Sequence, residues 1–184
     1  DVTPVLEMAV DIPEDCASPD LTILDPWDVG IEWQYGSAGF GVIVMPAVGN
    51  LTDDNGDGRV DDLDNPDIVF TTWISNTLVA LHGDGSGVIF EVSGYNGQAG
   101  VSIADVDNDG FSEIITMSTG AIVAVDGTGA RKWTSSTFKF GPFPQPAIAD
   151  LDNDGHVEVI MDTVVLDGST GKHRFTMSGV TAHA

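Results

Sequence analysis

A nine-residue acidic motif occurs twice in this sequence, and the interval between its copies limits the possible folds more than any other feature. The first copy spans residues 105–113 (DVDNDGFSE) and the second spans residues 150–158 (DLDNDGHVE). Glu113 and Glu158 are 45 residues apart, and Asp67 precedes Glu113 by 46. A period of about 45 residues is typical of proteins that repeat one supersecondary unit. The sequence therefore predicts a tandem array of similar units.

Three units cover residues 42–90, 99–133 and 146–175, and each contains four short segments rich in Val and Ile. Gly, Asp and Asn separate these segments, and no helical periodicity is sustained. The acidic loop joins the first and second segments, and an Asp-Gly-x-Gly type of turn joins the third and fourth as a hairpin. Such a unit is typical of a β-propeller blade. We predict an all-β fold made of propeller-type blades, each with four antiparallel strands.

The two ends of the chain are out of phase with these units. Residues 31–33 match the fourth strand of a blade, and residues 180–184 match the start of a first strand, so residues 31–184 are expected to include partial blades at both ends. Because usual rings contain four to eight blades, we expect a fragment of a larger ring; the alternative is that the ends pair to complete one blade. Residues 1–30, which contain acids and prolines, are predicted to be an extended leader.

The two nine-residue loops predict calcium sites. Carboxylates at positions 1, 3, 5 and 9 would repel one another in an empty closed loop, and Gly at position 6 permits the reversal that brings them together. Calcium takes six to eight oxygen ligands and accepts irregular geometry, so side chains and the carbonyl at position 7 can form its cage. The predicted ligands are Asp105, Asp107, Asp109, the Phe111 carbonyl and Glu113 in the first loop, and Asp150, Asp152, Asp154, the His156 carbonyl and Glu158 in the second.

The corresponding loop of the first unit is longer, and residues 53–64 fit the twelve-position calcium loop of an EF-hand. The predicted ligands are Asp53, Asn55, Asp57, the Arg59 carbonyl, Asp61 and Asp64, which makes about three calcium sites in the chain. Asp64 stands at the last position, where Glu is usual, and its shorter side chain weakens calcium capture or favours magnesium. Asp67 can add a further ligand. The alternative interpretation is an acidic, solvated insertion.

Charge and composition exclude several partners. The chain has 29 acidic and 6 basic side chains and a net charge of −23, so nucleic acid and anionic membrane surfaces are not expected to bind it. Fifteen of the 29 acids lie in the three loops, which relates about half of the acidity to cation binding. No apolar run approaches the roughly 18 residues of a membrane span. Cys16 is the single cysteine, which excludes an intrachain disulfide framework and a Cys-rich zinc site.

No motif in the sequence predicts catalytic or organic-cofactor-binding residues. A nucleophile elbow, a phosphate-binding P-loop and a dinucleotide fingerprint are all absent from the sequence. The four histidines share no metal-ligand spacing and are assigned to turns or to the surface; they are His82, His156, His173 and His183. Aromatic residues recur in the fourth strand and are predicted to pack between units; they are Trp33, Phe90, Trp133 and Phe175.

The repeated pattern A-D-x-D-x-D-G-x-x-E-[IV]-[IV], with Gly/Phe segments at residues 39–41 and 140–142, resembles the FG-GAP/VCBS repeats of integrin-α-like β-propellers. The resemblance covers residues 31–184. It implies calcium-binding loops on one face of a ring and a secreted or cell-surface protein of adhesion or recognition. Two features depart from the family pattern. The Gly-Ala-Pro segment that gives the FG-GAP repeat part of its name is not intact in this sequence. Asn50 stands where the other units have Asp105 and Asp150.

The leading functional hypothesis is a non-enzymatic, calcium-binding extracellular module for adhesion, recognition or assembly, with a protein or carbohydrate ligand. Two alternatives belong to other classes. One is the propeller portion of a secreted carbohydrate-active enzyme similar to polysaccharide lyases. The other is a structural subunit of a surface filament, in which the leader offers a strand for self-assembly.

Overall fold

The computed structural model describes residues 30–36 and 41–178, and these residues form strands, turns and loops without a helix. The chain divides into two compact units, Asp1–Gln34 and Tyr35–Ala184, and the strands found among the described residues belong to the second. The predicted leader lies outside the described residues except for residue 30. Residues 39 and 40 of the first Gly/Phe segment and the predicted strand at 180–184 also lie outside them.

In the described part of the chain, twelve strands form three antiparallel sheets of four, and the strands of each sheet follow one another in chain order. Sheet 1 consists of β1 (Ala47–Gly49), β2 (Asp67–Thr72), β3 (Thr77–Leu81) and β4 (Val88–Ser93). Sheet 2 consists of β5 (Ser102–Ala104), β6 (Glu113–Ser118), β7 (Ala121–Val125) and β8 (Arg131–Thr137). Sheet 3 consists of β9 (Pro146–Ala149), β10 (Glu158–Met161), β11 (Val164–Asp167) and β12 (His173–Thr176). The predicted four-stranded units and their hairpins are confirmed.

Two strand predictions at the start of the array differ from the structure. The first strand was expected from Val42, but β1 contains only three residues, which pair with β2 from Ala47 opposite Val69 to Gly49 opposite Asp67. Pro46 precedes β1 and has no backbone N–H with which to extend the pairing. Residues 31–33, predicted as the fourth strand of a partial blade, form no strand in the structure.

The two central strands of sheet 2, β6 and β7, are buried on both faces, which explains why they lack an alternating polar pattern. Every residue of β6 and β7 is buried. Successive side chains of a strand point to opposite faces. In β7, Val123 and Val125 pack in a core with sheet 1, and Ile122 and Ala124 pack in a core with sheet 3. Two hydrophobic layers therefore hold the three sheets together.

The aromatic residue of a fourth strand packs on the hairpin turn of the next sheet. A Cβ added to Gly129 would lie 2.9 Å from Cγ of Phe90, and one added to Gly171 would overlap the ring of Trp133. The predicted packing role is thus confirmed for Phe90 and Trp133. Phe175 is 47% exposed.

The first strands of the three sheets lie beside one another, β5 between β1 and β9. Ser102 in β5 donates a hydrogen bond through Oγ to the Pro146 carbonyl in β9, at 2.6 Å. The loops that follow these strands also meet, since Asn108 Nδ2 donates to the Gly155 carbonyl at 3.1 Å. The acidic loops of sheets 2 and 3 are therefore neighbours. Within residues 30–36 and 41–178, no helix has the length and apolarity needed to cross a membrane.

Candidate metal centres

Each acidic loop starts and ends at a pair of hydrogen-bonded strands. Gly49 pairs with Asp67, Ala104 with Glu113, and Ala149 with Glu158. Asp67, Glu113 and Glu158 thus occupy the same structural position, the first residue of the second strand. All three are at most 1% exposed. A buried carboxylate needs hydrogen-bond donors or a cation, so the closed end of each loop is where a cation is most stabilising.

The sheet 2 loop, residues 105–112, closes through hydrogen bonds to its own aspartates. Asp105 accepts from the N–H groups of Asp109 at 3.2 Å and Gly110 at 2.9 Å, and Asp109 accepts from Phe111 at 2.9 Å. Gly110 has a φ of 89°, a conformation that favours glycine. As a result, oxygens of Asp105, Asp107 and Glu113 lie within 4.8 Å of one another.

The sheet 3 loop, residues 150–157, repeats this geometry. Asp150 accepts from the N–H groups of Asn153 at 2.6 Å, Asp154 at 3.2 Å and Gly155 at 2.9 Å. These bonds hold the pKa of Asp150 below its usual range, with the Gly155 N–H as the largest cause. Asp154 accepts from the His156 N–H at 2.9 Å. Oxygens of Asp150, Asp152 and Glu158 lie within 4.8 Å of one another.

A basic side chain from the fourth strand reaches into each of these two clusters. Lys132 Nζ lies 2.6 Å from Asp107, 2.8 Å from Asp109 and 2.9 Å from Glu113. Arg174 contacts Asp152 at 2.9 Å and also forms an ion pair with Glu158. Both residues lie at a register shift of the hairpin, which turns an extra residue of the fourth strand towards the loop. The loops therefore hold a cationic group of the chain itself.

Sequence reasoning missed these two basic residues, although a signal was present. The chain has only six Lys and Arg residues, and two of them directly precede the fourth-strand aromatic, as Lys132–Trp133 and Arg174–Phe175. The same position in sheet 1 is Ile89, which precedes Phe90. A basic residue repeated in phase with an acidic loop indicates an ion pair between the two.

The lysine changes the protonation behaviour of the sheet 2 cluster. Its hydrogen bond is the largest cause that holds the pKa of Asp109 below the usual range. Burial raises the pKa of Glu113, although the Val106 N–H and Lys132 act in the opposite direction. Burial disfavours the charged form of Lys132, but its hydrogen bonds to Asp107, Asp109 and Glu113 outweigh that cost and raise its pKa. The ammonium group therefore stays protonated in the loop.

The residues of both clusters fit a hard cation such as calcium. Every donor in them is a carboxylate oxygen, and the position-7 carbonyls of Phe111 and His156 lie in the same closed loops. Among the described residues, Asp107 Oδ1 is buried without a hydrogen-bond partner. A buried oxygen left unpaired costs free energy that a metal ion recovers. The structure thus brings three of the predicted carboxylate ligands together in each of the two clusters. Lys132 links Asp109 to the cluster of sheet 2.

The EF-like loop of sheet 1 is arranged differently. Asp53 accepts from the N–H groups of Gly56, Asp57 and Gly58, and Asp64 accepts from those of Asp54, Asn55 and Asp61. Asn55 accepts from the Asp57 N–H, Asp57 from Arg59, and Asp61 from Leu63. The predicted ligands thus cap turns of their own loop. In the described part of the chain, Asp53, Asp57, Asp61 and Asp64 do not join a group of three close donor residues.

In sheet 1, the three residues whose ligand atoms lie close enough to hold a metal ion are instead Asp54, Asp67 and His82. His82 follows β3 and stands at the start of the hairpin turn, where the other units have Asp126 and Asp167. Its residue spacing from the two aspartates matches no local motif, because the three come from separate segments of the sheet. Only their proximity in the fold indicates a shared site.

Fold and site together define an all-β repeat protein with an acidic loop between the first two strands of every sheet. The structure is similar to that of the V. cholerae biofilm matrix protein Bap1, with a TM-score of 0.52 and 21% sequence identity over 80% of this chain. The match covers 33% of the Bap1 chain, so this chain spans about a third of that structure. No family model and no curated protein sequence matches the chain. The membership in the FG-GAP/VCBS family stays a prediction.

Proposed function

We propose that this chain is part of a calcium-stabilised extracellular β-propeller that serves adhesion or matrix assembly and catalyses no reaction. The observation that carries the proposal is the repetition of one carboxylate cluster in sheets 2 and 3, at the same place and with the same loop closure. An active site is needed once, whereas a structural ion is useful in every blade. The fold similarity to a biofilm matrix protein supports an extracellular role in assembly.

In this proposal, calcium connects each loop to the first residue of the second strand. The ligands in sheet 2 are Asp105, Asp107, Asp109 and Glu113 with the Phe111 carbonyl, and those in sheet 3 are Asp150, Asp152, Asp154 and Glu158 with the His156 carbonyl. Lys132 and Arg174 use the same oxygens as the ion. They neutralise the carboxylates in the metal-free chain and withdraw when calcium binds.

The ligand surface is proposed to include the non-repeated part of the loops. A cleft of about 400 Å³ lies between the inserted sheet 1 loop and the sheet 2 loop. Leu51, Val60 and Phe111 contribute apolar surface to it, and Asp126 and Lys132 contribute charges. A mixture of apolar surface with a few polar groups suits a protein or carbohydrate ligand.

Calcium binding is tested by thermal unfolding. A ligand at one hundred times its Kd stabilises a folded chain by about 2.7 kcal/mol, or about 5–10 °C for a domain of this size. The melting temperature is expected to rise by that amount when CaCl₂ is added to chelator-treated chain. Asp107→Asn and Asp152→Asn should each reduce the rise, and Asp162→Asn, at an exposed turn residue, should not. An equal melting temperature with and without calcium would show that calcium does not stabilise the chain and would contradict this part of the proposal.

The non-enzymatic assignment is tested with polyuronates, the substrate class of the alternative function. The chain is incubated with alginate and pectate in calcium, and both retention of the polymer and release of unsaturated products are measured. Retention without products supports a binding module. Unsaturated products that appear only when calcium is present would support the alternative function, a carbohydrate-active enzyme.

A further inference from the structure

The sheet 1 site differs from its two counterparts at four equivalent positions. Asp67 replaces the glutamate, His82 replaces the aspartate of the hairpin turn, and Asn50 replaces the first aspartate of the loop. Ile89 stands where the other sheets have Lys132 and Arg174. The site therefore gains an imidazole and lacks the built-in cation of the other two.

The three donor atoms of this site have the spacing of metal ligands. His82 Nδ1 lies 3.6 Å from Asp54 Oδ1 and 3.5 Å from Asp67 Oδ1, and all three atoms lie within 4.8 Å of one another. These separations exceed those of ordinary hydrogen bonds. Ligands at about 2.1 Å from a tetrahedral zinc ion are about 3.4 Å apart, which agrees with both measured distances.

Asp67 supplies independent evidence that a cation belongs there. Its side chain is fully buried, and Oδ2 accepts from the N–H of Leu51 at 2.9 Å and from the N–H and hydroxyl of Thr52 at 3.1 and 3.0 Å. Oδ1, which faces His82, is buried without a hydrogen-bond partner in the described part of the chain, and Asn50 Oδ1 is as well. A buried carboxylate oxygen is costly without a partner, so a bound cation at this position stabilises the fold.

The surrounding chain holds the other two donors in place. The Asp54 N–H donates to Asp64 at 2.9 Å, and Asp54 Oδ1 lies 3.3 Å from the oxygen of the Thr52 hydroxyl. The backbone N–H of His82 donates to the Gly87 carbonyl at 3.0 Å, and this bond closes the hairpin. The EF-like loop thus positions Asp54 at the cluster through its own buried Asp64.

We propose that Asp54, Asp67 and His82 bind a first-row transition-metal ion, with zinc as the best fit, at the loop end of sheet 1. Imidazole together with carboxylates suits Zn²⁺, whereas Ca²⁺ prefers a shell of oxygen ligands. Three protein ligands leave one position of a tetrahedral ion open. The site is thus distinct in metal class from the all-carboxylate clusters of sheets 2 and 3.

The test is calorimetric titration of the chelator-treated chain with ZnCl₂ in saturating CaCl₂, so that calcium competes at the carboxylate loops. About one zinc ion per chain is expected to bind, and His82→Gln should weaken the affinity at least tenfold. His173→Gln, a matched change at an exposed histidine, should leave it unchanged. Asp54→Asn tests the site at an exposed ligand, where folding is not at risk. Co²⁺ should give visible absorption bands in the parent chain that His82→Gln lacks.

A plain ion pair between protonated His82 and the two carboxylates predicts other results. In that case ZnCl₂ does not bind to the site or raise the melting temperature, and His82→Gln changes stability equally with and without zinc. Either that outcome or unchanged zinc affinity in both His82→Gln and Asp54→Asn would overturn the proposal. A zinc-dependent rise of about 5–10 °C in the melting temperature, absent in either variant, would support it.

Discussion

The indole Nε1 of Trp133 donates a hydrogen bond to the backbone carbonyl of Gly168 at 2.8 Å, and this bond joins sheet 2 to the hairpin turn of sheet 3. The ring of Trp133 also covers Gly171 in the same turn. One side chain thus supplies both apolar contact and a directional bond between neighbouring sheets.

Trp133→Phe should remove the hydrogen bond and retain an aromatic ring. The free energy of unfolding is expected to fall by about 1 kcal/mol or more, because the Gly168 carbonyl loses its donor. This corresponds to about 2–4 °C in melting temperature. Trp73→Phe is the control, since Trp73 is 46% exposed. Equal shifts for the two variants would show that the bond contributes nothing measurable.

Gly171→Ala should destabilise the chain more than a change of backbone freedom alone can explain. Gly171 has a φ of 66°, and an added methyl group would overlap the Trp133 ring. Gly94→Ala separates the two effects, because Gly94 has a φ of 96° and no atom within 4 Å of an added Cβ. Urea unfolding is expected to show a loss of roughly 1 kcal/mol for Gly94→Ala and a larger one for Gly171→Ala. The opposite order would contradict the close packing.

Asp167 should stabilise the folded chain when its carboxylate is ionised and lose this effect in acid. The Thr170 hydroxyl is the largest cause that lowers its pKa in the folded chain, and the Ser169 hydroxyl and Thr170 N–H act in the same direction. Because the native pKa is depressed, the stabilisation is complete above the unfolded value near pH 4 and is lost as pH falls below it. Asp167→Asn should therefore lower the melting temperature at pH 6 and reduce its acid dependence below about pH 4. A pH profile parallel to that of Asp162→Asn would refute this assignment.

Lys132→Met should make the chain depend more strongly on calcium. Without the ammonium group, Asp107, Asp109 and Glu113 repel one another, so the metal-free melting temperature falls. Calcium then binds without competition, and the calcium-induced rise in melting temperature increases. Lys139→Met, at an exposed position, is the control. A smaller calcium-induced rise in Lys132→Met than in the parent chain would exclude competition between lysine and the ion.

Much of the fold could be predicted from sequence because it is local and repeated. Runs of Val and Ile between turn residues predicted the four-stranded units, and the predicted strand from Val42 was wrong only in its length. The closure of the loop at residues 105–112 was predictable in the same way, since Asp105 and Gly110 interact across five positions. Residues 31–33, by contrast, resembled a fourth strand but form no strand in the structure.

By itself, the sequence determined the repeat, the strand order within each sheet and the position of every acidic loop, because these depend on residues close together in the chain. Only the tertiary structure decided which Lys, Arg or His side chain each loop faces. Lys132 lies 19 residues beyond Glu113, and His82 lies 15 beyond Asp67, and each is brought to its carboxylate by a hairpin and the register of its strands. Electrostatic energy depends on distance in space, and the fold sets that distance.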